Sequence, residues 1–167
     1  TVWNNGKGNI GTNTSFGDSS LKSNTTGSNS VGFGGSTLRD NTTGTSNTAI
    51  GAGALGLNTT GSKNIAVGSG SGQRPGHTIV NNSVFLGDEA QPLADNQTNQ
   101  IVIGQGATGA GSNTATLGNA SITKTVLGGV IQKRALDTAP ASATATGTTG
   151  EIRVTSTHIY VCIVTNT

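Results

Sequence analysis

Asn41-Thr42-Thr43-Gly44-Thr45-Ser46-Asn47-Thr48-Ala49-Ile50-Gly51-Ala52-Gly53-Ala54-Leu55-Gly56-Leu57 is one 17-residue unit, and the same unit opens again at Asn58 and one period earlier at Asn24. Working outward from it, Gly17, Gly34, Gly51 and Gly68 recur at that same interval, as do Leu21, Leu38 and Leu55. Asn24, Asn41 and Asn58 each begin an Asn-Thr-Thr-Gly tetrapeptide that closes at Gly27, Gly44 and Gly61. Four columns in phase over three or four copies exceed what composition alone produces. A fixed period of this length is the signature of a solenoid, in which each repeat stacks on its neighbours.

Each column has a physical reading. Before the leading glycine come Phe16, Phe33, Ile50 and Val67, and two places earlier Thr14, Val31, Thr48 and Ile65. Between them lie the small residues Ser15, Gly32, Ala49 and Ala66. This period-two alternation predicts a short strand with one bulky face and one small face. The bulky face is expected to share the interior with Leu21, Leu38 and Leu55, and the small face to admit a second chain. Asn-Thr-Thr-Gly is turn chemistry: Asn bonds its own backbone and Gly accepts positive φ. Each of these asparagines is also a glycosylation sequon, but a sequon generated by a structural repeat is weak support for a glycan.

Past Gly68 the period loosens. Residues 71–81 read as an inserted loop, after which the strand pattern returns at Val84-Phe85-Leu86, Ile101-Val102-Ile103 and Ala115-Thr116-Leu117. The middle column has grown to Phe85 and Val102, which predicts a change in what that face packs against. Seven coils are expected, one for each strand motif, with the motifs mostly 17 residues apart and 14 apart at the last step, from Ile101 to Ala115. The fold class is therefore all-β: a single-chain β-roll or β-solenoid shaft over residues 1–120. A transition and an extended, low-complexity connector follow over residues 121–150. Residues 151–167, with two alternating apolar runs, form a C-terminal β hairpin that begins a small tip domain. The chain lacks an initiator Met and ends soon after a strand-like run, and it is expected to be a segment of a longer protein.

Composition narrows the function classes. Hydrophobic residues are 31%, charged residues 10% and aromatics 3%, each well below the values of an ordinary globular domain. A net charge of +2 from nine basic and seven acidic residues, without a basic stripe, gives no support for nucleic-acid binding. No apolar run approaches the ~18 residues of a membrane span, so no membrane insertion is expected. Cys162 is the single cysteine, which excludes an intrachain disulfide, and it reads as a buried strand residue. A coil with so few large apolar residues buries too little to stand alone. A stable oligomer is expected.

The units Asn47-Thr-Ala-Ile-Gly-Ala-Gly-Ala-Leu55 and Asn58-Thr-Thr-Gly61 resemble the repeats of bacteriophage tail fibres. Their Asn-x-Ala-Ile-Gly core also resembles the left-handed β-roll head of trimeric autotransporter adhesins, although those rolls tend to 14-residue units. The segment from Ala139 to Glu151-Ile-Arg-Val154, with Ile159-Tyr-Val-Cys162, is similar to a C-terminal module of phage tail fibres. The resemblance implies a left-handed roll, a homotrimer, other tail proteins as partners, and contact with a bacterial surface glycan or protein. It implies a location on the virion, in an extracellular tail fibre; the alternative is the head of an adhesin on the bacterial cell surface.

Two functional readings follow, a host-recognition fibre and a spacer that binds nothing. Receptor contact favours exposed aromatics and convergent polar groups, for which the candidates are Arg74, His77, His158 and Tyr160. Trp3 reads equally well as a packing residue. An enzyme is not expected. Of the acids, only Asp88 and Glu89 are close in sequence, and adjacent strand-end residues point apart rather than forming the separated pair that glycoside hydrolysis needs. No catalytic grouping, metal-ligand spacing or cofactor motif is present. Ranks of Thr would suit an ice-binding face, but here they fall mostly in turns.

Overall fold

A computed structural model describes Trp3–Asn4, residues 10–126, Ile152–Val154 and Ile159–Val161. The described residues contain strands, turns and no helix. Contacts divide the chain into Thr1–Thr123 and Lys124–Thr167.

The first unit is a β-solenoid. Strands β2 (Thr14–Phe16), β3 (Val31–Phe33), β4 (Thr48–Ile50), β5 (Ile65–Val67), β7 (Val84–Leu86), β9 (Ile101–Ile103) and β10 (Ala115–Leu117) stack in parallel in that order. Strand β1 (Trp3–Asn4) pairs antiparallel with β2 and covers the sheet's first edge. Register never slips: Thr14, Val31, Thr48, Ile65, Val84, Ile101 and Ala115 are successive partners. It holds although the coil from Ile65 to Val84 is longer than the repeat and that from Ile101 to Ala115 is shorter. On another side of the coil β6 (Val80–Asn81) pairs in parallel with β8 (Gln97–Thr98). The segment 71–81, expected as an inserted loop, is thus a lengthened coil side that ends in a strand.

The leading glycines hold this stack close. Gly51 has φ 119°, and a Cβ there would lie 2.6 Å from the carbonyl of Gly68 in the next coil. Two internal polar ladders do the rest. Asn41 Nδ2 donates to the Gly44 carbonyl and to Asn24 Oδ1, both at 3.0 Å. Asn58 repeats the contacts at 2.9 Å and 3.4 Å. In the second ladder Asn47 Nδ2 donates to the Gly61 carbonyl at 2.8 Å, and its Oδ1 accepts from the backbone and side chain of Asn64 at 3.0 Å each. Buried backbone groups must be satisfied, and these amides supply the partners that turns lack. Asn24, Asn41 and Asn58 are at most 2% exposed, which leaves no room for a glycan and decides for the structural reading of the sequon.

The assignment of inside and outside is the reverse of the expectation. The small middle column, Ser15, Gly32, Ala49 and Ala66, is buried, and so are Phe85 and Val102 above it. Phe33, Ile50, Ile65 and Val67, expected inside, are 54, 41, 44 and 38% exposed. The reason is the width of the coil. Leu21, Leu38 and Leu55 reach in from the opposite wall and are fully buried, so each level has space for one large side chain facing a small one. Two flanking bulky residues per strand would overfill it.

The same rule explains Phe85. Position 72 continues the Leu21, Leu38, Leu55 column but is Gly, and a Cβ there would sit 2.7 Å from Leu55 Cδ2 and 3.2 Å from Phe85 Cδ2. The bulk has crossed from one wall to the other. The middle column therefore faces the interior throughout, and only its interior partner changes. The three leucines hold φ near 50° (52°, 49° and 50°), a left-handed conformation that costs roughly 1–2 kcal/mol. Burying a Leu side chain, worth about 1.5–3 kcal/mol, offsets it.

In the second unit β11 (Ile152–Val154) and β12 (Ile159–Val161) pair antiparallel, with Arg153 opposite Tyr160. His158, Cys162 and the expected connector up to Gly150 lie outside the described residues, while residues 121–126 of the transition are exposed.

Candidate functional site

The outer face of the parallel sheet carries two columns, one running from Thr14 to Ala115 and the other from Phe16 to Leu117. Their apolar members include the largest exposed hydrophobic side chains of the solenoid, with Ile101 at 43% and Leu117 at 52%. Phe16 and Phe33 stack with ring centroids 4.9 Å apart and planes inclined by 10°. No position in either column is charged. Because register is kept at every level, the rows repeat at the strand spacing of about 4.8 Å. Chemically this is an uncharged, largely apolar strip, seven rows long and two residues wide, interrupted by the hydroxyls of Thr14 and Thr48. Exposed apolar surfaces of this kind mark protein, membrane or ligand interaction sites, or aggregation-prone faces.

A second feature projects from the flank of the coil. Arg74-Pro75-Gly76-His77 is a tight turn: the His77 N–H donates to the Arg74 carbonyl at 2.9 Å, and Gly76 takes φ 82° after Pro75. Pro at the second place and Gly at the third are the requirements of a type II turn. Arg74 Nη1 donates to the Leu93 carbonyl at 2.8 Å and to the Pro92 carbonyl at 3.3 Å, tying the turn to the coil above. Asp95 Oδ1 accepts the backbone N–H groups of Thr78 at 2.6 Å and Ile79 at 2.9 Å, closing the same layer from the other side. His77 is partly buried, and its Nδ1 has no hydrogen-bond partner.

Of the four residues expected to contact a receptor, Arg74 and His77 thus share one turn. Tyr160 is in β12 of the second unit, and His158 is outside the described residues. Asp88 and Glu89 are consecutive exposed corner residues, Glu89 with φ 52°. Asp40 is held below the usual carboxylate range by the hydrogen bond from Arg39, 2.6 Å away, in a half-buried pair to which Lys22 adds a weaker attraction. Among the described residues no three His, Cys, Asp or Glu side chains group together.

The outward columns are the surface residues that sequence reasoning misassigned. The signal that finds them is the reciprocal change at Gly72 and Phe85. A large middle residue appearing where the Leu column lapses identifies the middle column as internal, and hence its neighbours as external.

Comparison with family models, with curated proteins and with solved structures found no match. What the site can do therefore rests on its own geometry.

Proposed function

We propose that this chain is a structural and host-recognition segment of a bacteriophage tail fibre, one strand-stacked rod of a homotrimer that contacts a bacterial surface glycan or protein and joins other tail proteins. Its place would be the virion exterior. The observation that carries this reading is the seven-row, uncharged apolar face on the outside of a solenoid whose interior is already filled. Such a face is a cost to a solitary chain in water and an asset to a rod built from several copies. The task is mechanical and adhesive rather than catalytic, and no cofactor enters it.

One observation favours the second reading, a spacer without a receptor site. Arg74 directs Nη1 of its guanidinium to the carbonyls of Pro92 and Leu93, a contact that braces the turn. The head of a bacterial adhesin would share the same repeat and the same outer face. Light scattering tests the association: a mass near three times 16.5 kDa is expected, and a folded monomer at tens of micromolar overturns it. Fluorescently labelled protein on a panel of bacterial cells tests recognition. Binding lost on deleting 151–167 but kept on altering 71–81 locates the receptor site in the second unit, whereas no binding to any cell favours the spacer.

A further inference from the structure

We infer that the turn at Arg74 is a site for an acidic saccharide, in which the Nε–H and Nη2–H donors of Arg74 grip a carboxylate or phosphate while Leu93 and Pro75 bear against the sugar ring. The site stands on its own geometry; that its ligand belongs to a bacterial surface rests on the recognition reading above.

A second arginine of the same molecule shows what such a pair of donors takes. Arg39 donates from Nε to Asp40 Oδ1 at 2.9 Å and from Nη2 to Asp40 Oδ2 at 2.6 Å. This is the planar, two-point match of a guanidinium to an oxyanion. Arg74 engages a different edge, since its Nη1 is the nitrogen that donates to the carbonyls of Leu93 and Pro92. Among the described residues its Nε and Nη2 donate to nothing and neither is enclosed. No described carboxylate lies within ion-pair distance of it. Asp95 is in the same layer, but its Oδ1 accepts the N–H groups of Thr78 and Ile79. Arg74 is thus a half-buried cation, aimed by two carbonyls, with its fork-shaped edge open. A charge drawn partly out of water without a counterion gains from a ligand that brings paired oxygens.

The surroundings choose what carries the oxyanion. Of the large apolar side chains exposed on the described coils, Leu93, at 45%, is the one off the outer face of the sheet. Its own carbonyl holds Arg74 at 2.8 Å. Pro75 and Gly76 are exposed, and a Cβ added at Gly76 would meet nothing within 4 Å, so the approach to the turn is open. Apolar surface beside a few directed polar groups is the make-up of a small-molecule site. A free anion would use the fork and leave Leu93 wet. A neutral sugar would cover Leu93 and leave the fork unpaired. An acidic sugar, with an apolar CH face and a charged substituent, satisfies both.

Nuclear magnetic resonance of the isotope-labelled full chain tests this through the arginine Nε–H signals. Glucuronate, a hexose phosphate, glucose, acetate and inorganic phosphate are added in separate titrations at constant ionic strength. The Arg74 signal is expected to move with glucuronate and with the hexose phosphate, half-saturating on the order of 1 mM. The tighter of the two names the group that the receptor carries. The Arg39 signal, its fork closed by Asp40, is expected to stay in place. Arg74→Lys keeps the charge without the fork and should weaken both acidic sugars about tenfold. Leu93→Asn leaves Arg74 intact, and should weaken the acidic sugars without changing inorganic phosphate, so the site stays testable if the lysine variant fails to fold. An Arg74 signal that ignores both acidic sugars overturns the site. An equal response to glucose overturns the oxyanion. A response to acetate and inorganic phosphate as strong as to the acidic sugars overturns the saccharide and points to an acidic peptide or a free ion. Labelled protein on bacterial cells separates the site from the recognition reading. Cells bound alike by the parent and by Arg74→Lys overturn Arg74 as the receptor contact, whereas a parent that takes glucuronate and binds no cell defeats the reading alone.

Discussion

The coils up to Gly68 and the coils after it have the same strand register and opposite interiors. In the first set the strand contributes Ser15, Gly32, Ala49 or Ala66, and the opposite wall contributes Leu21, Leu38 or Leu55. In the second set the strand contributes Phe85 and Val102, and the opposite wall Gly72, Ala90 and Ala107. The constant quantity is the space inside a level, not the residue at a position. A repeat protein can therefore keep its backbone while exchanging which wall carries the bulk, provided that both walls change together.

The largest test of this comparison is to transplant one region's interior into the other. Phe85→Ala alone is expected to cost about 3–5 kcal/mol through the cavity that it leaves. Gly72→Leu alone is expected to cost about 1–3 kcal/mol by overpacking. Together they should cost less than the sum by at least ~2 kcal/mol, because the new Leu occupies the vacated space as Leu55 does one coil below. Urea unfolding of the four proteins measures the coupling, and simple additivity would break the account of the interior.

Next in size is the polar ladder. Asn41→Ala removes the donor to Gly44 and Asn24 and the acceptor of Asn58, and should cost about 2–3 kcal/mol, read as a lowered thermal midpoint. The later coils contain the contrasting case. Gln100 is 1% exposed, and neither atom of its amide has a partner, so Gln100→Met should be neutral or stabilising by up to about 1 kcal/mol. A large loss on Gln100→Met would mean that its amide is satisfied after all. The smallest effect concerns the corner column Ser19, Ser36, Gly53 and Gly70. Ser36 sits at φ 59° and Gly70 at φ 61°, so Ser36→Gly should stabilise by about 0.5–1 kcal/mol by relieving the left-handed backbone. No gain would show that this serine is held there by more than its neighbours' geometry.

The period, the strand positions and the turns were legible because each depends on local chemistry that recurs: Gly51 and its equivalents for close approach, Asn-Thr-Thr-Gly for the corner. The inner face was not. Three-residue strands alternate, but alternation names two faces without saying which is inside. That information lies in the relation between Gly72 and Phe85, thirteen positions apart and meaningful only once coils are stacked. The candidate site divides in the same way. That Arg74 and His77 flank one turn is readable from Pro75-Gly76. That Arg74 reaches the carbonyls of Pro92 and Leu93 depends on which loop lies one coil above, which no local pattern encodes.

The constant register has one more consequence. The long coil from Ile65 to Val84, the short one from Ile101 to Ala115 and the regular ones all return the chain to the sheet at the next row. Insertions and deletions are absorbed on the flanks, and the sheet advances by one row whatever happens there. For heredity this makes the rod a counter: in-frame duplication of one repeat lengthens it by a single row and leaves every existing row in place. Loop length from coil to coil and the number of coils can then vary without moving any row of the sheet.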